Sequence, residues 1–109
     1  MIIVLNLFDL VVGQETVYAD YLDRVQPVLA RHRAKVLFYG KARAIFKGSA
    51  SQDYCGIIGY ADMASLRAFS HDPEFVAIQD LRDASTTNYV LSVYEETGTD
   101  GALSIGPLD

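Results

Sequence analysis

The chain lacks tryptophan and has one cysteine, two histidines and three prolines in 109 residues. A lone thiol, Cys55, excludes an internal disulfide, and so few Cys and His residues leave no zinc-binding spacing. No run of lysine or arginine occurs, and the net charge is −5. Phosphate backbones and anionic membrane surfaces are bound by clustered cations, so neither nucleic acid nor a membrane is an expected partner. The apolar opening, MIIVLNLFDLVV, is too short and too interrupted to span a bilayer, and it lacks the basic lead and cleavage site of a secretory signal. A cytoplasmic protein is expected. No Gly-rich phosphate loop and no sequence-local Ser-His-Asp or Cys-His set is present.

What remains is apolar: hydrophobic residues make up 50% of the chain. The length suits one domain with one core. A subunit this small keeps much of its surface exposed, so part of the apolar excess is expected in a subunit interface.

The pattern along the chain divides into seven elements. Ile2 to Val12 is rich in Ile, Val, Leu and Phe and reads as a strand covered on both faces, ended by Gly13-Gln14. From Thr16 the spacing becomes helical, with Tyr18, Tyr21, Val25, Val28 and His32 on one face and Pro27 predicting a kink or a broken hydrogen bond. Lys35 to Lys47 alternates as a strand, with Val36, Phe38, Ala42, Ala44 and Phe46 on one face and Leu37, Tyr39, Lys41, Arg43 and Ile45 on the other. Residues 48–53 form a turn, and Tyr54 to Ala61 is the next strand. Asp62 caps a helix from Met63 to Ser70. Asp72 caps another that begins at Pro73, where the missing N–H costs nothing. Asn88 to Glu96 is the last strand.

This order is β-α-β-β-α-β with the second helix split. It predicts an α+β, ferredoxin-like domain over residues 1–96: a four-stranded antiparallel sheet with helices on one face. Residues 97–109 are a Gly-rich tail or arm. The uncovered sheet face stays largely apolar, so two sheets closing face to face, a dimeric α/β barrel, are expected.

Several residues are placed for chemistry. Asp9 lies in an apolar strand, where burial would raise its pKa into the range of a general base; at the strand's end it would instead reach water or a backbone N–H. Asn6 falls on the opposite face by alternation. His32, on the helix stripe, is either a pocket acid or base or a helix-end residue bonded to a carbonyl. His71 is either at a pocket mouth or on an exposed loop. Tyr39, Lys41 and Arg43 would make a cationic, hydrogen-bonding wall for a carboxylate or phenolate if their face lines the cavity, or ordinary edge charges if it does not. Arg82 ends the last helix, suited to its dipole or to a substrate anion.

The chain resembles the dimeric α/β-barrel superfamily, and within it the group of small bacterial proteins catalogued as domain of unknown function 1330. The residues that carry the resemblance are Tyr18-x-x-Tyr21 with Pro27 beyond, Gly40, Phe46-Lys47-Gly48, Ile57-Ile58-Gly59-Tyr60, Phe69 followed by Pro73-Glu74-Phe75, and Leu81-Arg82. They span roughly residues 2–96. The family usually has a Gly-Gly pair where this chain has Arg33-Ala34, often an arginine where it has Tyr39, and prefers tryptophan where it has Phe69. The resemblance implies a homodimer with a small-molecule pocket between sheet and helices. It also implies a cofactor-independent enzyme of isomerase, cyclase or monooxygenase type, or else a non-catalytic binding or stress-related protein. In such a pocket Asp9, His32, Tyr39, His71 and Arg82 would be the catalytic candidates, with Asn6, Lys41, Arg43, Tyr60 and Phe69 holding the ligand. Haem-degrading superfamily members place a histidine one turn beyond the position of Phe75; this chain has Gln79, so neither haem nor another cofactor is expected.

Overall fold

Strand-forming and helix-forming patterns alternate along the chain, and the computed structural model, which describes residues 1–49 and 52–97, pairs them as seven elements. They are β1 (Ile2–Leu10), α1 (Glu15–Arg31), β2 (Lys35–Lys41), β3 (Tyr54–Tyr60), α2 (Met63–Ser70), α3 (Pro73–Ser85) and β4 (Thr86–Glu95). The sheet runs β2-β3-β1-β4, and all three pairings are antiparallel. This is the expected ferredoxin-like order with the second helix split in two. The predicted tail, apart from Thr97, lies outside the described residues.

Alternation along β1 sets the two faces. Ile2, Val4, Asn6 and Phe8 are buried, while Ile3, Leu5 and Leu7 are only partly covered. The first set packs against Tyr18, Tyr21, Val25, Val28 and Leu29 of α1 and against Phe69, Phe75 and Ile78 of α2 and α3. The second set looks out from the uncovered face. Val12, expected at the end of the strand, is outside it and almost wholly exposed.

The break between α2 and α3 is held by carboxylate caps. Asp62 accepts from Ser65 N at 2.8 Å, and Asp72 accepts from Glu74 N at 2.9 Å. Each satisfies a backbone donor that the first helical turn leaves unpaired.

Helix α1 ends in a Schellman turn. Ala34 N donates to Leu29 O and Arg33 N to Ala30 O, both at 3.0 Å, with Arg33 in the left-handed region at φ 57°. That conformation costs a β-carbon-bearing residue about 1–2 kcal/mol, and among the described residues the exposed Arg33 side chain has no hydrogen-bond or ion-pair partner that would offset it. An Arg33→Gly variant is therefore expected to be more stable by about 1 kcal/mol, read as a Tm several degrees higher in thermal unfolding; a lower Tm would contradict this reading of the turn.

Strand β2 departs from the expected alternation in two ways. It stops at Lys41, not Lys47. Ala42 N still donates to Asp53 O, but β3 begins only at Tyr54, so residues 43–47 have no strand to pair with. Ile45 and Phe46 are exposed there, Phe46 completely. The register also slips between Val36 and Phe38. This bulge puts Leu37 and Phe38 both on the uncovered face and returns Val36 and Tyr39 to the helix face. A second slip, between Leu7 and Asp9, is taken up in β4 by Asn88 at φ 55°, a conformation asparagine tolerates.

Candidate functional site

Between the helix face of the sheet and the three helices lies a cavity of about 820 Å³. Its volume falls within the range of ordinary small-molecule sites. The floor is built from alternate residues of the strands. Gly56 opposite Asn6 leaves space that Tyr39 fills from β2; a β-carbon at Gly56 would sit 3.2 Å from the Tyr39 ring. Phe8 stacks between Tyr54 and Tyr89, with ring centroids at 5.6 and 5.2 Å. At the far end Phe69 lies 4.3 Å from Phe75 and 5.8 Å from Tyr60, again between ring centroids.

The polar groups of the cavity are five phenols, the amides of Asn6, Gln26 and Gln79, the Ser70 hydroxyl, and the guanidinium groups of Arg67 and Arg82. Tyr18, Tyr21, Tyr39, Tyr60 and Tyr89 all line it. The Tyr18 and Tyr39 hydroxyls bond to each other, and the Tyr89 hydroxyl donates to Asn6 Oδ1 at 2.8 Å while Asn6 Nδ2 donates to Gly56 O at 3.3 Å. Burial raises the pKa of all five phenols above its ordinary value; at Tyr21 the nearby Arg82 guanidinium opposes part of that rise. All five therefore remain protonated at neutral pH.

Arg82 reaches the cavity from the last turn of α3. Its guanidinium lies 5.3 Å from the Tyr89 ring centroid and 5.9 Å from that of Phe75, and its side chain is 19% exposed. Its carboxylate partner is the adjacent Asp83, at 3.4 Å. A cation so enclosed is costly unless it is neutralised, and one long contact to an exposed carboxylate does this weakly.

The structure gathers five of the ten residues singled out in the sequence. Asn6, Tyr39, Tyr60, Phe69 and Arg82 line the cavity. The other five lie elsewhere. Asp9 is at the outer end of β1, accepting from Asp53 N at 2.7 Å and from Asn88 Nδ2 at 3.3 Å. His32 caps α1 and bonds through Nε2 to Asp72 Oδ2 at 2.7 Å, an oxygen shared with Arg31 Nη2. These partners hold the Asp72 carboxyl at about 2, below its ordinary value, His32 contributing most. The cluster ties the end of α1 to the start of α3; its nearest approach to the cavity is the His32 ring, edge-on to Phe69 at 6.0 Å. His71 is an exposed helix cap. Lys41 lies over the Tyr54 ring at 5.8 Å, outside the lining, and Arg43 is beyond the end of β2, so the expected wall of Tyr39, Lys41 and Arg43 keeps only its tyrosine at the cavity.

The sequence pattern placed Tyr18 and Tyr21 on a helix stripe and Tyr89 inside the last strand, none with a role in chemistry, and gave Gln79 only the role of a missing haem ligand; all four line the cavity. The signal was present in the helix: Tyr18 and Tyr21, three apart on the buried stripe of α1, both carry a polar tip that a buried ring must aim at a partner or a cavity. Among the residues lining the cavity there is no Asp, Glu, His or Cys. Among the described residues no cluster of three His, Cys, Asp or Glu side chains is placed to hold a metal ion, and no helix is long and apolar enough to cross a membrane.

Fold and cavity define a ferredoxin-like α+β domain with a phenol-lined site beneath its helices. The model of a family described as domain of unknown function (DUF1330) matches residues 4–95, and the chain belongs to that family. Among solved structures, a protein of unknown function from Rhodopseudomonas palustris is similar at 22% identity, with a TM-score of 0.79 over 90% of this chain and 83% of that one. A dimeric ferredoxin-like protein of unknown function from Jannaschia sp. CCS1 is 15% identical, with a TM-score of 0.71 over 87% of this chain and 98% of the other. SnoaB, a cofactor-independent oxygenase from Streptomyces nogalater, is 17% identical, with a TM-score of 0.64 over 90% and 94%. No curated protein matches the chain in sequence. At these identities the structural likeness establishes the fold.

Proposed function

We propose that the chain is a homodimeric, cofactor-independent enzyme acting on a small organic molecule that bears a carbonyl, phenol or carboxylate oxygen. The observation that carries this reading is the convergence of Arg82 with the phenols of Tyr21 and Tyr89 in one largely apolar cavity. Hydrogen-bond donors fixed around a place where negative charge develops stabilise an enolate or phenolate more than its neutral parent, and low polarity strengthens the effect. Protonated phenols serve here as donors and not as bases. Because no carboxylate or imidazole among the described residues lines the cavity, the proton is exchanged with water or with a basic atom of the substrate itself. This suits a molecule acidic enough to ionise once the donors surround its oxygen, undergoing isomerisation, cyclisation or reaction with oxygen. The oxygenase activity in SnoaB's description is consistent with such chemistry on this fold.

The missing base also favours a second reading, a binding protein that holds the same molecules unchanged. Phenylpyruvate, which has a carbonyl, a carboxylate and a ring, separates the two. The enzyme reading expects the chain to accelerate its keto–enol interconversion, followed by ultraviolet absorbance. An Arg82→Gln variant is expected to lower kcat/KM about 10- to 150-fold, the loss of a hydrogen bond to a charged partner. Binding without acceleration would favour the second reading; no binding would remove both.

A further inference from the structure

The cavity is not uniform, and its asymmetry describes a ligand. Arg82, Tyr21, Tyr60 and Tyr89 supply its donors. Tyr21 raises the pKa of both Tyr89 and Tyr60, Tyr89 raises that of Tyr60, and Tyr21 and Tyr89 both feel Arg82. Tyr60 is 2% exposed, yet its hydroxyl has no hydrogen-bond partner among the described residues. No buried polar side-chain atom there is sealed away without a partner, so this hydroxyl opens onto the cavity. Arg82, which meets only the Tyr21 hydroxyl and two 3.4 Å contacts to Asp83, and the protonated Tyr60 therefore present more donors than the described residues around them accept. A group made only of acceptors, a carboxylate above all, completes them.

The wall between α1 and α2 has a different chemistry. Val25 and Leu29 of α1, Val36 of β2, Ile58 of β3, and Met63 and Leu66 of α2 line it. These are branched and flexible aliphatic side chains, bordered by the rings of Phe69 on α2 and Tyr60 on β3. On β3, Ile58 lies two residues from Gly56 and two from Tyr60 on the same face, so this wall runs from the Asn6 level toward Tyr60 in steps of about 7 Å. Exposed Gln26 and Arg67 follow on α1 and α2, marking the way out to solvent. An adaptable aliphatic wall suits a flexible chain better than a rigid ring system.

We propose that the cavity takes an amphipathic organic acid, with its carboxylate among Arg82 and the Tyr21 and Tyr60 hydroxyls and an alkyl tail along the wall between α1 and α2. This deepens the functional reading above and rests on the same site. Titration calorimetry of the full chain with hexanoate, octanoate, decanoate and dodecanoate, each beside its primary amide, tests it. Affinity is expected to rise about threefold to fourfold for each added methylene, as burial of that group requires, and to level off once the tail reaches solvent. Each acid is expected to bind at least tenfold more tightly than its amide, and Arg82→Gln to remove that preference while keeping the dependence on length. Leu66→Asn, checked for folding by circular dichroism, is expected to flatten the dependence on length while keeping the preference for acids. If phenylpyruvate binds and the alkanoates show no gain with length, the tail is wrong and the site stands. If the alkanoates behave as expected and phenylpyruvate is not turned over, the ligand class stands and the enzyme reading falls. If neither binds, both fall.

Discussion

A Phe38→Asp variant is expected to sediment as a monomer at micromolar concentration, where the unaltered chain is expected to sediment as a dimer of 12.0 kDa subunits. The reason lies in the sheet face that the helices leave bare. Leu5 and Leu7 of β1, Ile57 of β3, Leu37 and Phe38 of β2, and Val90 of β4 all present apolar groups there. Phe38 is 52% exposed in the single subunit, and the β2 bulge turns both it and Leu37 toward this face. Contiguous apolar surface of this kind marks an interaction site, and solved neighbours of this fold are described as dimeric. In a twofold dimer each substitution counts twice. Losing the burial of a Phe side chain at about 1.5–3 kcal/mol per copy weakens association by about 3–6 kcal/mol, or roughly 10²- to 10⁴-fold. Because the side chain is already half exposed, the variant subunit is expected to keep its helical signal in circular dichroism. A monomeric unaltered chain, or a Phe38→Asp variant that remains a dimer, would refute the face-to-face arrangement.

Phe8→Ala is expected to destabilise the protein by about 3–5 kcal/mol. Phe8 is 1% exposed, and its ring meets Tyr18, Tyr39, Tyr54 and Tyr89 at centroid distances from 5.2 to 6.3 Å. Truncation removes both the burial and the stacking that sets the two tyrosines on either side of it. For a domain of this size the change corresponds to a Tm lower by at least about 12 °C, measured by calorimetry. A fall of only a few degrees would mean that neighbouring side chains collapse into the space, and that the floor of the cavity is softer than described.

The elements were legible because their signals were local. Asp62, Asp72 and Pro73 mark both helix starts of the split pair, and the stripe from Tyr18 to Val28 faces the sheet as its spacing requires. The site was half legible. Asn6, Tyr60 and Phe69 follow from strand and helix periodicity, and Arg82 from its place at the end of α3. What misled the reading was pairing, which no local pattern records. The Leu37 bulge reassigns residues on β2, and the position where β3 begins decides that Arg43 belongs to a loop. Asp9 and His32 looked poised for chemistry because the sequence shows their apolar neighbours and hides their partners. Those partners are Asp53 and Asn88 for the first and Asp72 for the second. The bare face, by contrast, was foreseeable from alternation together with the excess of apolar residues.

The central claim is that the cavity closed by Arg82 is the working site. It is tested most directly by following the Arg82 side-chain Nε–H and the backbone amides by nuclear magnetic resonance while octanoate or phenylpyruvate is added. The account predicts saturable shifts at Arg82 Nε–H and at the amides of Asn6, Gly56, Tyr60 and Gln79, absent with the corresponding amide compound. Shifts confined to Leu5, Phe38 and Ile57 on the opposite face of the sheet, with Arg82 unmoved, would contradict it.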